Sequence, residues 1–231
     1  MDIDVFFTPE EELKSELSVV VDVLRATSVI STLIELGCEK IIPVSTVEEA
    51  FRLKKRYPDF LLAGERNSMK ISGFDYGNSP LEYDSNIQEK TLILTTTNGT
   101  KAILKSKNCK QVLIGSLLNI DSIIKTITKS SFKTLNIVCS GTNGELSLED
   151  IYCAGMIASN IDGNLTDRAR LTSAFFSNYK DCPERVLSEI SSHGRKLVLS
   201  GFAGDTIFCA KINLYKKIPF YRNGLIQELK Q

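Results

Sequence analysis

Seven short, continuous apolar runs, at residues 17–23, 40–44, 60–63, 91–95, 111–115, 135–139 and 196–199, recur along the chain with helix-like stretches between them. They are rich in Val, Ile and Leu and do not alternate with polar residues, as expected of strands buried on both faces. The stretches between them carry helix punctuation. Residues 27–36 place Val29, Ile30, Leu33 and Ile34 on one side and stop at Gly37. Thr46 to Glu49 forms a capping box opening a helix to about Arg56, and Ser147 to Asp150 opens another to about Asn160. Strand and helix in alternation imply an α/β protein: a three-layer α/β/α arrangement with a mostly parallel or mixed sheet. One unit over residues 1–231 fits the length, and so do two lobes with a boundary near residues 116–134 and a site between them. Residues 67–88 lack a clear period and contain Gly, Asn, Ser and aromatics; a loop that long in a compact domain is usually functional or mobile.

Composition excludes several partners. Lys+Arg and Asp+Glu each number 28, so no basic footprint for nucleic acid exists, and any affinity for anions must be local. No run approaches the ~20 apolar residues of a membrane span. The acidic N-terminus lacks the basic region of a secretory signal. The 6 cysteines (Cys38, Cys109, Cys139, Cys153, Cys182 and Cys209) are scattered without a C-x-x-C pair. Free thiols in a reducing cytoplasm are expected. Nothing in the sequence decides between a monomer and a homo-oligomer.

In parallel sheets ligands collect beyond the carboxyl ends of strands, and the polar residues of this chain concentrate there. After the run at 91–95 come Thr95, Thr96, Thr97, Asn98, Gly99 and Thr100; after 135–139 come Ser140, Gly141, Thr142, Asn143 and Gly144. Two strand-to-loop junctions sharing Thr-Asn-Gly suit a multiply charged anion held by backbone N–H groups at helix starts. Either loop alone would read as a turn.

Carboxylates and guanidiniums stand at strand ends too. Asp22 closes the first run and Arg25 follows three residues later; Glu65 and Arg66 close the third. A strand-end carboxylate can ligate Mg²⁺ and an arginine can fork onto an oxyanion. Each pair could equally be a local ion pair. Glu149 and Asp150 occupy a helix first turn, where acidic residues also serve as caps, but they lie just past the Ser140–Gly141 loop. Asp205 reads as a metal ligand or, preferably, a helix cap, and His193 as a helix C-terminal residue. Asp2 and Asp4 resemble an aspartyl-nucleophile pair but lack a strand before them. No phosphate-binding loop with Gly-Lys-Ser/Thr, no dinucleotide fingerprint and no Cys-phosphatase loop is present.

The blocks VVVDVLRAT, AGER, GFDYGNSPLEY, TTTNGT, GSLLN, CSGTNGELSLED and HGRKLVLSGFAGD, in this order from about Val19 to Asp205, resemble the 2-phosphosulfolactate phosphatase family. The resemblance implies Mg²⁺-dependent hydrolysis of the phosphate ester of 2-phospho-3-sulfolactate, a reaction of coenzyme M biosynthesis, with a small anionic phosphorylated substrate. On that reading Asp22, Glu149 and Asp150 hold the metal, Glu65 is the general base, and Arg25 stabilises the transferring phosphoryl group. Arg25, Arg66, Asn78, Thr95 to Thr100, Ser140 and Gly141 hold the substrate. Direct attack by water and a covalent aspartyl-phosphate on Asp22 both remain open.

Overall fold

The computed structural model describes residues 1–9 and 13–230. Its strands are β1 (Asp2–Phe6), β2 (Leu17–Val21), β3 (Lys40–Pro43), β4 (Leu61–Arg66), β5 (Met69–Lys70), β6 (Thr91–Thr95), β7 (Gln111–Gly115), β8 (Thr134–Cys139), β9 (Asn164–Leu165), β10 (Pro219–Arg222) and β11 (Leu225–Glu228). The helices are α1 (Ala26–Glu35), α2 (Val47–Arg56), α3 (Gly99–Lys105), α4 (Ile120–Lys129), α5 (Leu148–Ser159), α6 (Asp167–Asn178), α7 (Pro183–Arg185), α8 (Ser192–Leu199) and α9 (Ala203–Cys209).

The strands run in the order β5-β4-β6-β3-β11-β10-β7-β2-β8-β1-β9. Two parallel blocks, β4-β6-β3 and β7-β2-β8-β1-β9, are visible in the pairing. The hairpin β10–β11 joins them, antiparallel to β7 on one side and to β3 on the other. The sheet is therefore mixed. The hairpin turns at Asn223-Gly224, both with positive φ (52° and 83°), the backbone a tight two-residue turn requires and Asn-Gly supplies.

Successive residues of a strand face opposite sides, and the core divides accordingly. Leu17, Val19 and Val21 of β2, with Leu135, Ile137 and Cys139 of β8, pack against α4, α5 and α6. Val20 and Val138 point the other way, into a cluster with α1, α3 and the β3, β4 and β6 residues Ile41, Ala63, Leu92 and Leu94. That second cluster draws on both parallel blocks, so the sheet curls around α1. Every residue of α1 from Ala26 to Ile34 is buried, as expected of a helix enclosed on all sides. Its hydroxyls remain satisfied because Ser28, Ser31 and Thr32 donate to the carbonyls of Val23, Thr27 and Ser28.

Two expectations fail here. Residues 196–199 are not a strand but the second half of α8, whose N-cap Ser191 accepts from the Gly194 N–H at 3.0 Å. A four-residue apolar run fits one buried helical turn as well as a strand, and Leu197 is buried while Leu199 is 89% exposed. Asp2 and Asp4 need no preceding strand, since they belong to β1 itself; Asp4 accepts from Thr166 Oγ1 and Arg168 Nε, a structural anchor for α6.

Candidate active site

Four strands stand between β6 and β2 in the sheet order, yet the chain leaving β6 reaches the end of β2. A Cβ on Gly99 would lie 2.5 Å from the Ala26 Cβ and 2.5 Å from Asp22 Oδ2. The curl thus closes the carboxyl ends of the two blocks on each other, with a cleft between. Its walls carry Asp22, Arg25, Glu65, Asn78, Thr96, Thr97 and Asn98. The same walls carry His193 and Lys196, which the sequence reading did not assign. The two Thr-Asn-Gly loops meet at its rim, where the Asn143 N–H donates to Asn98 Oδ1 at 3.4 Å. Gly99→Ala is expected to cost about 1–3 kcal/mol of stability through overpacking. It should also lower activity at least tenfold by displacing the Asp22 carboxylate; a urea melt and a phosphate-release assay check both.

Several backbone donors of the two loops are engaged within the protein. The Thr96 N–H donates to Thr100 Oγ1, the Thr100 N–H to Thr96 Oγ1, and the Thr97 N–H to Glu65 Oε1. In the second loop the Ser140 N–H donates to the Val21 carbonyl and the Gly141 N–H to Asp150 Oδ2. These donors hold the loops rigid instead of pointing at a ligand. What faces the cleft is side-chain chemistry: Thr97 Oγ1 and Asn78 Oδ1 are both buried without a protein partner. A buried polar atom left without a partner is costly, so both await a ligand or water.

The acidic residues have distinct settings. Glu65 accepts the Thr97 N–H at 2.7 Å and the Ser68 N–H at 2.9 Å, tying the end of β4 to the first Thr-Asn-Gly loop and to the turn before β5. Asp150 accepts the Val23 and Gly141 N–H groups and the Ser140 hydroxyl. Burial, with the charges of Glu149 and Asp22, holds its carboxyl well above the usual range. Glu149 accepts from the Ser191 hydroxyl and, at 2.9 Å, from the His193 ring through Nδ1. Neither residue caps α5: its N-cap Ser147 makes no side-chain cap bond and pairs with the Thr142 hydroxyl. Asp22 accepts the Ala26 N–H through Oδ1 at 3.2 Å. Burial pushes its carboxyl up to about 6, against the downward pull of His193 and the Ser140 hydroxyl. The trio expected as metal ligands does not stand as a cluster: among the described residues no three His, Cys, Asp or Glu side chains form a group that could hold a metal by themselves.

The basic residues divide as well. Arg25 is almost wholly buried; Nη1 donates to Asp205 Oδ2 at 2.6 Å, Nη2 to the Ser68 carbonyl at 2.7 Å, and the guanidinium lies 4.2 Å from the Phe202 ring centre. Asp205, expected as a cap or a metal ligand, instead anchors Arg25 and accepts from the Ser79 hydroxyl at 2.6 Å. Arg66 donates to the Glu65 carbonyl and to Thr95 Oγ1. It fastens β4 to β6 and is absent from the cleft wall. His193 sits in the first turn of α8, not at a C-terminus. Burial alone would lower its pKa, but the hydrogen bond and charge of Glu149, with Asp22, outweigh burial and hold it above the ordinary value. Lys196, one turn later, brings an exposed ammonium to the rim. The signal for both was the Ser191 cap, which places residues 193 and 196 on one helix face.

A family model described as 2-phosphosulpholactate phosphatase matches residues 6–224. A Thermotoga petrophila protein named "Probable 2-phosphosulfolactate phosphatase" is 40% identical over 225 residues, covering 96% of each chain. Proteins of the same name from Caldanaerobacter subterraneus subsp. tengcongensis and Clostridium acetobutylicum are 42% and 39% identical, covering 94% of this chain and 92% and 94% of their own. With a match along nearly its whole length, and an α/β cleft of strand-end carboxylates and cations to set beside it, the chain belongs to the 2-phosphosulfolactate phosphatase family and is a phosphoric monoester hydrolase.

Proposed function

We propose that this phosphatase hydrolyses the phosphate ester of 2-phospho-3-sulfolactate with the help of Mg²⁺, releasing sulfolactate and phosphate, as in coenzyme M biosynthesis. The observation that carries the reading is the cleft between the two parallel blocks, where the buried Asp22 carboxylate faces Arg25, His193 and Lys196 beside the unpartnered Asn78 and Thr97 side-chain oxygens. The relatives' names supply the substrate. That substrate carries a phosphate, a carboxylate and a sulfonate, and the cleft offers cations and a hydroxyl donor for them in a protein of formal net charge +0.

The donor set fits Mg²⁺. This ion keeps several waters and takes one or two carboxylates plus substrate phosphate, so it needs no three-carboxylate cage. Asp22, a hard-oxygen ligand pushed up to about 6, and the orphaned Asn78 carbonyl oxygen would hold it. When bound, the ion neutralises phosphate charge and makes a water more nucleophilic. Arg25 has five N–H donors, of which two are engaged by Asp205 and Ser68, and the rest serve the phosphoryl oxygens. Glu65, fixed by two backbone N–H groups, orients the attacking water and takes its proton. Thr97 donates its free hydroxyl, and Lys196 collects the outer anionic group at the rim. Phosphoryl transfer needs mainly positioning and charge stabilisation, which these fixed groups provide.

Phosphate release from 2-phospho-3-sulfolactate, measured with Mg²⁺, in EDTA, and after Mg²⁺ is restored, tests the reading. Activity is expected to vanish in EDTA and return with the metal. Full turnover in EDTA would remove Mg²⁺ from the mechanism, and turnover only with other phosphorylated hydroxy acids would reassign the substrate.

A further inference from the structure

The hydrolysis needs a proton donor for the leaving oxygen, because a secondary alkoxide is a poor leaving group and none of the roles above supplies one. Nδ1 of His193 is occupied at 2.9 Å by Glu149, a residue 1% exposed whose other oxygen accepts from Ser191. With the Glu149 oxygen as acceptor, Nδ1 is the donor in that bond. The ring lines the cleft, so Nε2 is the nitrogen left to meet a ligand. This is the arrangement in which a buried carboxylate fixes the orientation of an imidazole that exchanges protons with substrate.

We propose that His193 is the general acid of the reaction, with Glu149 as its positioning residue. Water oxygen forms the new bond to phosphorus and the bond from phosphorus to the C2 oxygen breaks. The Nε2 proton passes to that oxygen, leaving a neutral alcohol, and Nε2 is reprotonated from solvent after product leaves. Around the ring stand Glu149 from α5, Asp22 from the end of β2, Arg25, and Lys196 on its own helix.

The assignment rests on the phosphatase reading of the cleft, and the test separates the two. His193→Asn keeps an amide N–H where Nδ1 stood, for Glu149, and removes Nε2. Its kcat is expected to fall ~100- to 10,000-fold on 2-phospho-3-sulfolactate. On 4-nitrophenyl phosphate, whose leaving group needs no proton, the loss should stay below about tenfold, because the contribution of a general acid shrinks as the leaving group improves. Should the Asn variant fail to fold, His193→Gln, whose amide reaches the Nε2 position without a transferable proton, is read in the same way. Glu149→Gln should show the same selective loss in weaker form, a pattern that general destabilisation would not produce. Equal losses on both esters would overturn the general-acid role while leaving the phosphatase reading intact. A wild type inert to both esters would overturn that reading and this assignment together.

Discussion

Asp22→Asn is expected to give a protein that is nearly inactive and, in metal-free buffer at neutral pH, more stable than the wild type. The folded carboxyl is pushed up to about 6 from its ordinary 3.8, with burial the main cause. Well below its ordinary 3.8 the group is protonated in both folded and unfolded chains and contributes nothing. As pH rises through 4 to 6 the unfolded chain ionises first, so native stability falls, and above pH 6 the full penalty is present. At about 1.4 kcal/mol per unit, the penalty is on the order of 3 kcal/mol. Asparagine removes the charge but keeps an oxygen for the Ala26 N–H. Urea melts in EDTA should therefore show a gap between variant and wild type that is close to zero at about pH 3 and widest near pH 7.5. Phosphate release should drop by roughly a thousandfold, the scale seen when a charge-stabilising group is lost from a preorganised site. A variant less stable than wild type at pH 7.5 would show that the Asp22 charge is already compensated within the protein.

The second large effect belongs to Arg25. Its guanidinium joins two other parts of the chain: the start of α9, through Asp205 and the Phe202 ring, and the Ser68 carbonyl. Arg25→Met leaves Asp205 buried with the Ser79 hydroxyl as its remaining partner, and an uncompensated buried charge costs about 3–5 kcal/mol. Adding Asp205→Asn should restore most of that stability without restoring turnover, because the cation facing the cleft is still missing. Arg25→Lys keeps the charge but cannot make the fork and the ring contact together, so both stability and activity should fall. Chemical unfolding of the three variants checks this. A single Arg25→Met that unfolds like the wild type would mean the buried pair contributes nothing to the fold.

Much of the sheet was legible because strands buried on both faces write themselves as unbroken apolar runs. β2, β3, β4, β6, β7 and β8 lie where such runs stand. The strands that were missed lack that signature. DIDVF in β1 carries two acids, and β10 and β11 were marked only by the Asn223-Gly224 turn between them. Of the strand-end residues, Asp22, Arg25, Glu65, Thr96, Thr97 and Asn98 line one cleft. Strand-end position could not tell which of them would face a ligand. Whether Asp205 caps a helix or anchors Arg25, and whether Glu149 caps α5 or holds His193, depends on contacts 180 and 44 residues apart in sequence. Local pattern carries no information at that range.

The hairpin that joins the two parallel blocks has a temporal consequence. β10 and β11 follow every other strand in chain order, yet they form the middle of the sheet. Until residues 219–228 are in place, β3 and β7 each lack a partner on the side the hairpin fills. Unpaired edges of this kind invite pairing with other chains. The step that seals those edges is the same one that joins the two blocks flanking the cleft.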